Sequence, residues 1–148
     1  MTALTDAVKD EIQIAYRTWL AARDFKPRRG QRQMIAQIAR SLSADVDRIA
    51  VVEAGTGTGK TAAYCLAAIP LAQSLSKTIV LSTATVALQE QVILQDLPDI
   101  QQRAGLKFSL TLAKGRGRYL CLKRLDDHLK YTIPIYVYHD RRSLCGSF

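Results

Sequence analysis

An α/β fold is what this sequence predicts, and three observations predict it. Short apolar runs with β-branched residues, "RIAVVEA" (48–54), "KTIVLST" (77–83) and "LKFSLTLAK" (106–114), alternate with stretches of helical periodicity. The first run leads directly into a Gly-rich turn and then a helix. Strands that alternate with helices imply parallel β-α units, so a parallel sheet with helices on both faces is expected, preceded by an N-terminal helical segment.

Each element follows from local pattern. Residues 3–22 place Leu4, Val8, Ile12, Ala15, Trp19 and Ala22 at steps of three and four, one face of an amphipathic helix. "RDFKPRRG" breaks it, because Pro27 biases Lys26 away from helical geometry and Gly30 interrupts again. "QRQMIAQIARSL" resumes the period through Met34, Ile38 and Leu42 and ends before "SADVD". After the first strand and the Gly-rich turn, a helix is expected from Lys60 to about Leu75, kinked or ended near Pro70. "ATVALQEQVILQDL" follows the second strand at helical spacing. The expected division is 1–47 for the N-terminal helices, 48–113 for a sheet-containing domain and 114–148 for a basic segment and tail.

With 148 residues, 48% of them hydrophobic and 23% charged, the chain has the size and composition of one ordinary globular domain. Its longest apolar run, "AAYCLAAIPLA" (62–72), is far shorter than a membrane span, and the acidic N-terminus lacks a signal-like apolar region, so a cytoplasmic protein is expected. Cys65, Cys121 and Cys145 show no C-x-x-C spacing and imply neither a disulfide framework nor a self-contained zinc site. The net charge of +8 is unevenly placed: residues 1–100 carry 11 Lys and Arg against 10 Asp and Glu, residues 101–148 carry 10 against 3. A polyanion such as nucleic acid suits that basic third, and a solvated basic face is the alternative.

The chemistry concentrates in "AGTGTGKT", where Ala54, Gly55, Thr56, Gly57, Thr58, Gly59, Lys60 and Thr61 fit the P-loop pattern with Ala in place of the first Gly. Glycines let the loop turn its backbone N–H groups onto phosphate oxygens, and the next helix presents its positive N-terminus to the same anion. Lys60 is then the residue for the β- and γ-phosphates, and the Thr61 hydroxyl the ligand for Mg²⁺. A strand before the loop and a helix after it are the context the motif requires.

Three neighbouring segments narrow the class. "FKPRRGQRQMI" (25–35), the P-loop, "VLSTATVALQEQV" (80–92) and "KGRGRYLC" (114–121) occur in an order that resembles the DinG-type branch of superfamily 2 DNA helicases, the XPD-like iron–sulfur helicases. The resemblance covers about residues 25–125 and implies a RecA-like motor domain that takes ATP and Mg²⁺, moves 5′→3′ on single-stranded DNA and serves repair or replication. It implies that Arg28 and Gln31 read the adenine base, that Thr83 and Thr85 touch the DNA backbone and that Cys121 is a first iron–sulfur ligand. Taken without the family, Gln31 is equally a polar residue on a helix face, Thr83 and Thr85 are helix-capping hydroxyls, and Cys121 is a buried thiol. Arg116, Arg118 and Lys123, with Tyr119 among them, suit single-stranded DNA, and a solvated basic turn is again the alternative.

The sequence also departs from that family. A [4Fe–4S] cluster takes four cysteines and the chain has three, so the cluster is not expected to be assembled by this chain. The Asp-Glu-x-His segment that organises Mg²⁺ and the attacking water occurs nowhere, the one Asp-Glu pair being Asp10-Glu11, and a second motor domain with its arginine finger is not encoded. The expectation is therefore the ATP-binding N-terminal portion of such a helicase, with a catalytically inactive ATP- and DNA-binding truncation product as the alternative.

Overall fold

The computed structural model describes residues 4–46 and 48–130, which fall into two compact units divided between Thr111 and Leu112. The first unit holds α1 (Asp6–Ala21), α2 (Arg29–Ser43), α3 (Lys60–Ser74), α4 (Val86–Gln91) and α5 (Leu97–Arg103), with a π-helical turn, Val92–Asp96, between the last two; α4 buries no residue, and the other four helices carry the core. The second holds a 3₁₀ turn, Arg116–Arg118, and α6 (Leu122–Lys130).

α3 is the centre of the first unit. Apolar side chains surround it almost completely, and Ala62, Ala63, Cys65, Leu66, Ala67, Ile69, Pro70 and Leu71 are all buried. A helix apolar on every side must be covered on every side. α1 and α2 pack against it, as do α5 and the π-helical turn. α1 contributes Val8, Ile12, Ala15, Tyr16, Trp19 and Leu20, with Thr5 capping its first turn by accepting from the Val8 N–H. The buried stripe thus leans toward Tyr16 and Leu20, and Ala22 is exposed. On α2 the buried face runs through Gln31, Ile35, Ile38 and Ala39, leaving Leu42 exposed and Met34 half-buried.

The expected parallel sheet is not formed: no strand occurs among the described residues. The three β-branched runs take no regular secondary structure and do not join into a ladder. Val51 is 92% exposed, Val80 88% and Ile49 80%. Parallel strands are stabilised by covering on both faces and by neighbours that take their N–H and C=O groups. Here the helices cover one another around α3, and the runs add to that core only Leu106, which is buried, with Ala50 and Phe108 packed against it. β-propensity favours the extended backbone but does not supply a partner.

Pro70 does not end its helix, which continues to Ser74. Its ring is fully buried in the core. The expected single helix over 84–97 is instead interrupted. The Leu97 N–H reaches back five residues to the Val92 carbonyl, because Pro98 in the following turn cannot donate to residue 94 and its ring displaces that carbonyl.

Asp99 ties α1 to α5. Its Oδ2 accepts from Trp19 Nε1 at 2.8 Å, and its Oδ1 takes Arg23 Nη2 at 2.9 Å and Arg103 Nε at 2.7 Å. Arg23 also lies over the Trp19 and Phe25 rings, 5.4 and 5.5 Å from their centroids. Burial pushes the Asp99 carboxyl up, but Arg23, Trp19 and Arg103 together hold it below the usual carboxylate value. Asp99→Ala is expected to cost about 2 kcal/mol, since the Trp19 donor loses a charged acceptor while the arginines are exposed enough to recover water. A carboxyl depressed on folding stabilises fully above the unfolded value of about 4 and loses that contribution as pH falls through the folded value. The gap between wild type and Asp99→Ala in urea denaturation should therefore shrink from pH 5 downward.

Candidate nucleotide-binding site

The cradle is built where the run 48–54 leads through the Gly-rich turn into α3. Gly57 and Gly59 have φ of +73° and +75°, the left-handed region that side chains with a Cβ rarely adopt. Gly59 is also the N-cap of α3, and no side chain caps this helix, unlike α1 and α4. Its first-turn N–H groups stay available to an anion. Lys60 Nζ donates to the carbonyls of Ala54 at 2.8 Å and Gly55 at 2.9 Å, and Thr58 Oγ1 donates to Gly55 O at 2.8 Å. The loop is thus closed by its own lysine. Thr56 is exposed.

The segment from 25 to 35 reaches this loop directly. Arg28 Nη1 donates to Gly57 O at 2.8 Å. Gln31, 6% exposed, lies so close to Gly59 that a Cβ there would overlap its amide nitrogen. The Gln31 Oε1 accepts from the Tyr16 hydroxyl at 3.2 Å, and that hydroxyl takes the Arg28 N–H at 3.4 Å. Tyr16, which helical spacing did not single out, is the pillar of this arrangement. A cleft of about 810 Å³ opens beside it between α2 and residues 51–54, lined by Arg29, Gln31, Arg32, Met34, Glu53 and Thr58 among others. That is within the size range of small-molecule sites.

Thr61 is half-buried on the first turn of α3, within side-chain hydrogen-bonding reach of Tyr64 and Asp96. Burial raises the Asp96 carboxyl above its usual value, against hydrogen bonds from Gln91 and Thr61 and the charge of Arg23. Asp96 Oδ2 is buried without a hydrogen-bond partner. Nothing in the spacing of Asp96, 35 residues beyond Thr61, signals the juxtaposition. On the same helix, burial pushes the Cys65 thiol up to about 12, with Asp96 adding to the effect, so Cys65 is a packing residue.

Thr85 caps α4 by accepting from the Leu88 N–H at 3.2 Å, and Thr83 Oγ1 donates to Thr85 O at 3.2 Å. In the second unit Arg116 and Arg118 form the 3₁₀ turn and Lys123 lies exposed on α6. The Tyr119 hydroxyl accepts from the Lys114 N–H at 2.9 Å, folding the basic segment back on itself. Cys121 is exposed rather than buried, and Cys145 lies outside the described residues. Among the described residues no three His, Cys, Asp or Glu side chains come together as a metal site, and the two described cysteines do not make up the four thiolates of a [4Fe–4S] cluster. No helix among them is long and apolar enough to cross a membrane.

A glycine-rich loop is thus closed by Lys60, and Arg28 and Gln31 of a neighbouring segment lie against it. The DEAD/DEAH box helicase family matches residues 28–141, and the chain belongs to that family. Its relatives include the ATP-dependent DNA helicase DinG of Escherichia coli (strain K12) and that of Salmonella typhimurium, each 45% identical over 125 residues, and that of Photobacterium profundum, 43% identical over 127. These alignments cover 83% of this chain and 17 to 18% of the relatives, so the chain spans less than a fifth of their length.

Proposed function

We propose that this chain is the ATP-binding front of a DinG-like DNA helicase, binding ATP with Mg²⁺ at the cradle and single-stranded DNA through its basic segment. The observation that carries the reading is the junction of two segments in one site: Arg28 on the Gly57 carbonyl and Gln31 against Gly59. A base recognised by Gln31 and phosphates held at residues 55–61 would then belong to one ligand. The amide of Gln31 both donates and accepts, as the adenine edge requires.

Binding ATP asks Lys60 to exchange two loop carbonyls for phosphate oxygens. Arg28 keeps the Gly57 carbonyl engaged, so that oxygen is not left facing an incoming anion. Thr61 is the residue to hold Mg²⁺, which when bound neutralises the phosphate charge. The DNA contacts fall to Thr83, Thr85, Arg116, Arg118 and Lys123, and the three cysteines of the sequence are one short of the four that a [4Fe–4S] cluster takes. Movement 5′→3′ in repair or replication is the role this reading carries for the longer protein. The 148 residues contain no Asp-Glu-x-His, so binding with ATP turnover near background is the behaviour expected of them, which favours the inactive ATP- and DNA-binding product as second reading.

Competition tests the assignment. A bound fluorescent ATP analogue should be displaced by ATP well before GTP, because a site that hydrogen-bonds one base leaves buried polar groups unpaired with another. Equal displacement by GTP would remove the base-reading role of Arg28 and Gln31.

A further inference from the structure

We propose that Tyr16 is a positioning residue for base selection: its hydroxyl holds the Gln31 amide in one orientation against the phosphate loop, so that an adenine edge is matched and a guanine edge opposed. The inference rests on the nucleotide-site reading above and adds to it a residue of α1, outside both the segment 25–35 and the P-loop pattern.

Two hydrogen bonds carry it. The Tyr16 hydroxyl donates its one proton to Gln31 Oε1 at 3.2 Å and accepts the Arg28 N–H at 3.4 Å, so a single oxygen joins the two residues proposed to read the base. Tyr16 is itself buried in the core where α1 packs on α3, which fixes where that hydroxyl stands. The two ends of the amide are thereby told apart. Oε1 is turned to Tyr16, while Nε2 is the atom that a Cβ on Gly59 would meet. Gln31 also lines the cleft of about 810 Å³ beside the loop, where a base would lie. Oε1 keeps a second lone pair for that base. Adenine presents its N6 donor beside the N7 acceptor, whereas guanine presents two acceptors, O6 and N7. A fixed Oε1 therefore accepts from adenine and faces an acceptor on guanine. Released from Tyr16, the amide can turn its NH₂ group toward O6, and the opposition to guanine weakens. A hydroxyl that served only to satisfy a buried ring would affect stability and leave base preference alone.

Preference, rather than affinity, is the quantity to measure. A bound fluorescent ATP analogue is competed off with ATP, GTP and inorganic tripolyphosphate, each with Mg²⁺, in wild type, Tyr16→Phe, Gln31→Ala and the double variant. Tyr16→Phe keeps the ring and its packing. It should narrow the preference for ATP over GTP by about 3- to 10-fold, the scale of one hydrogen bond, while tripolyphosphate competition stays within about twofold. In the Gln31→Ala background the same change should move the preference by less than about twofold, because Tyr16 acts through Gln31. The ratio comes from binding-competent protein alone, so partial unfolding does not alter it. Should Tyr16→Phe not fold, Tyr16→Met, a flexible gap-filling chain without a hydroxyl, is expected to show the same loss. An unchanged ratio in these variants, or an equal change with and without Gln31, overturns the proposal and leaves the base-reading role of Gln31 in place. Wild type that takes GTP as well as ATP overturns that role, and the role of Tyr16 with it.

Discussion

Lys60→Ala should lower the affinity for Mg²⁺-ATP by about 2–3 kcal/mol, roughly 30- to 150-fold, the scale of a lost hydrogen bond to a charged group. In the ligand-free cradle Lys60 donates to Ala54 O and Gly55 O. Those carbonyls are on a loop that reaches solvent, and losing the lysine leaves them to water at little cost. Phosphate oxygens are different, since no other cation of the loop lies at hand to meet them. The loss should therefore appear in binding and hardly in thermal stability. Isothermal titration of both proteins with Mg²⁺-ATP, beside a melting curve, separates the two. Equal affinities would remove residues 54–61 as the phosphate site.

The cradle was legible in the sequence because its physics is local. Glycines at 55, 57 and 59 allow a turn, two of them at positive φ, and the lysine and threonine follow at fixed spacing. The amphipathic helices were legible for the same reason, since a period of 3.6 needs only its own neighbours. What the sequence did not reveal is tertiary. Apolar runs at 48–54, 77–83 and 106–114 carry the composition of buried strands, but pairing depends on who lies beside them, and composition does not say. The contact of Gln31 with Gly59 and the hydrogen bond from Tyr16 to Gln31 join residues 28 and 15 positions apart. The π-helical turn had a visible cause in Pro98, while its consequence, Asp96 brought to Thr61, depends on how α3 packs.

Gly59→Ala should be the most damaging single change to the site, because it strains the backbone and displaces the residue proposed to read the base. At φ +75° a side chain costs about 1–2 kcal/mol. The new methyl also meets the Gln31 amide, which is 6% exposed and held by Tyr16, so it yields only by giving up that hydrogen bond, at about 1 kcal/mol. The sum, about 2–3 kcal/mol, corresponds to a fall in Tm of roughly 6–10 °C for a chain of this size. Gly57→Ala is the control: its φ is +73°, but nothing lies within 4 Å of the added Cβ, so only the backbone cost applies. Adding Gln31→Ala should cost about 1 kcal/mol less in the Gly59→Ala background, where its hydrogen bond with Tyr16 is already lost, than in the Gly57→Ala background, where it is intact. Thermal melts of the four variants, with ATP and GTP competition on each, supply the comparison. If Gly59→Ala melts with Gly57→Ala and keeps its preference for ATP, Gln31 does not sit against the cradle, and the junction of base-reading segment and phosphate loop is lost with it.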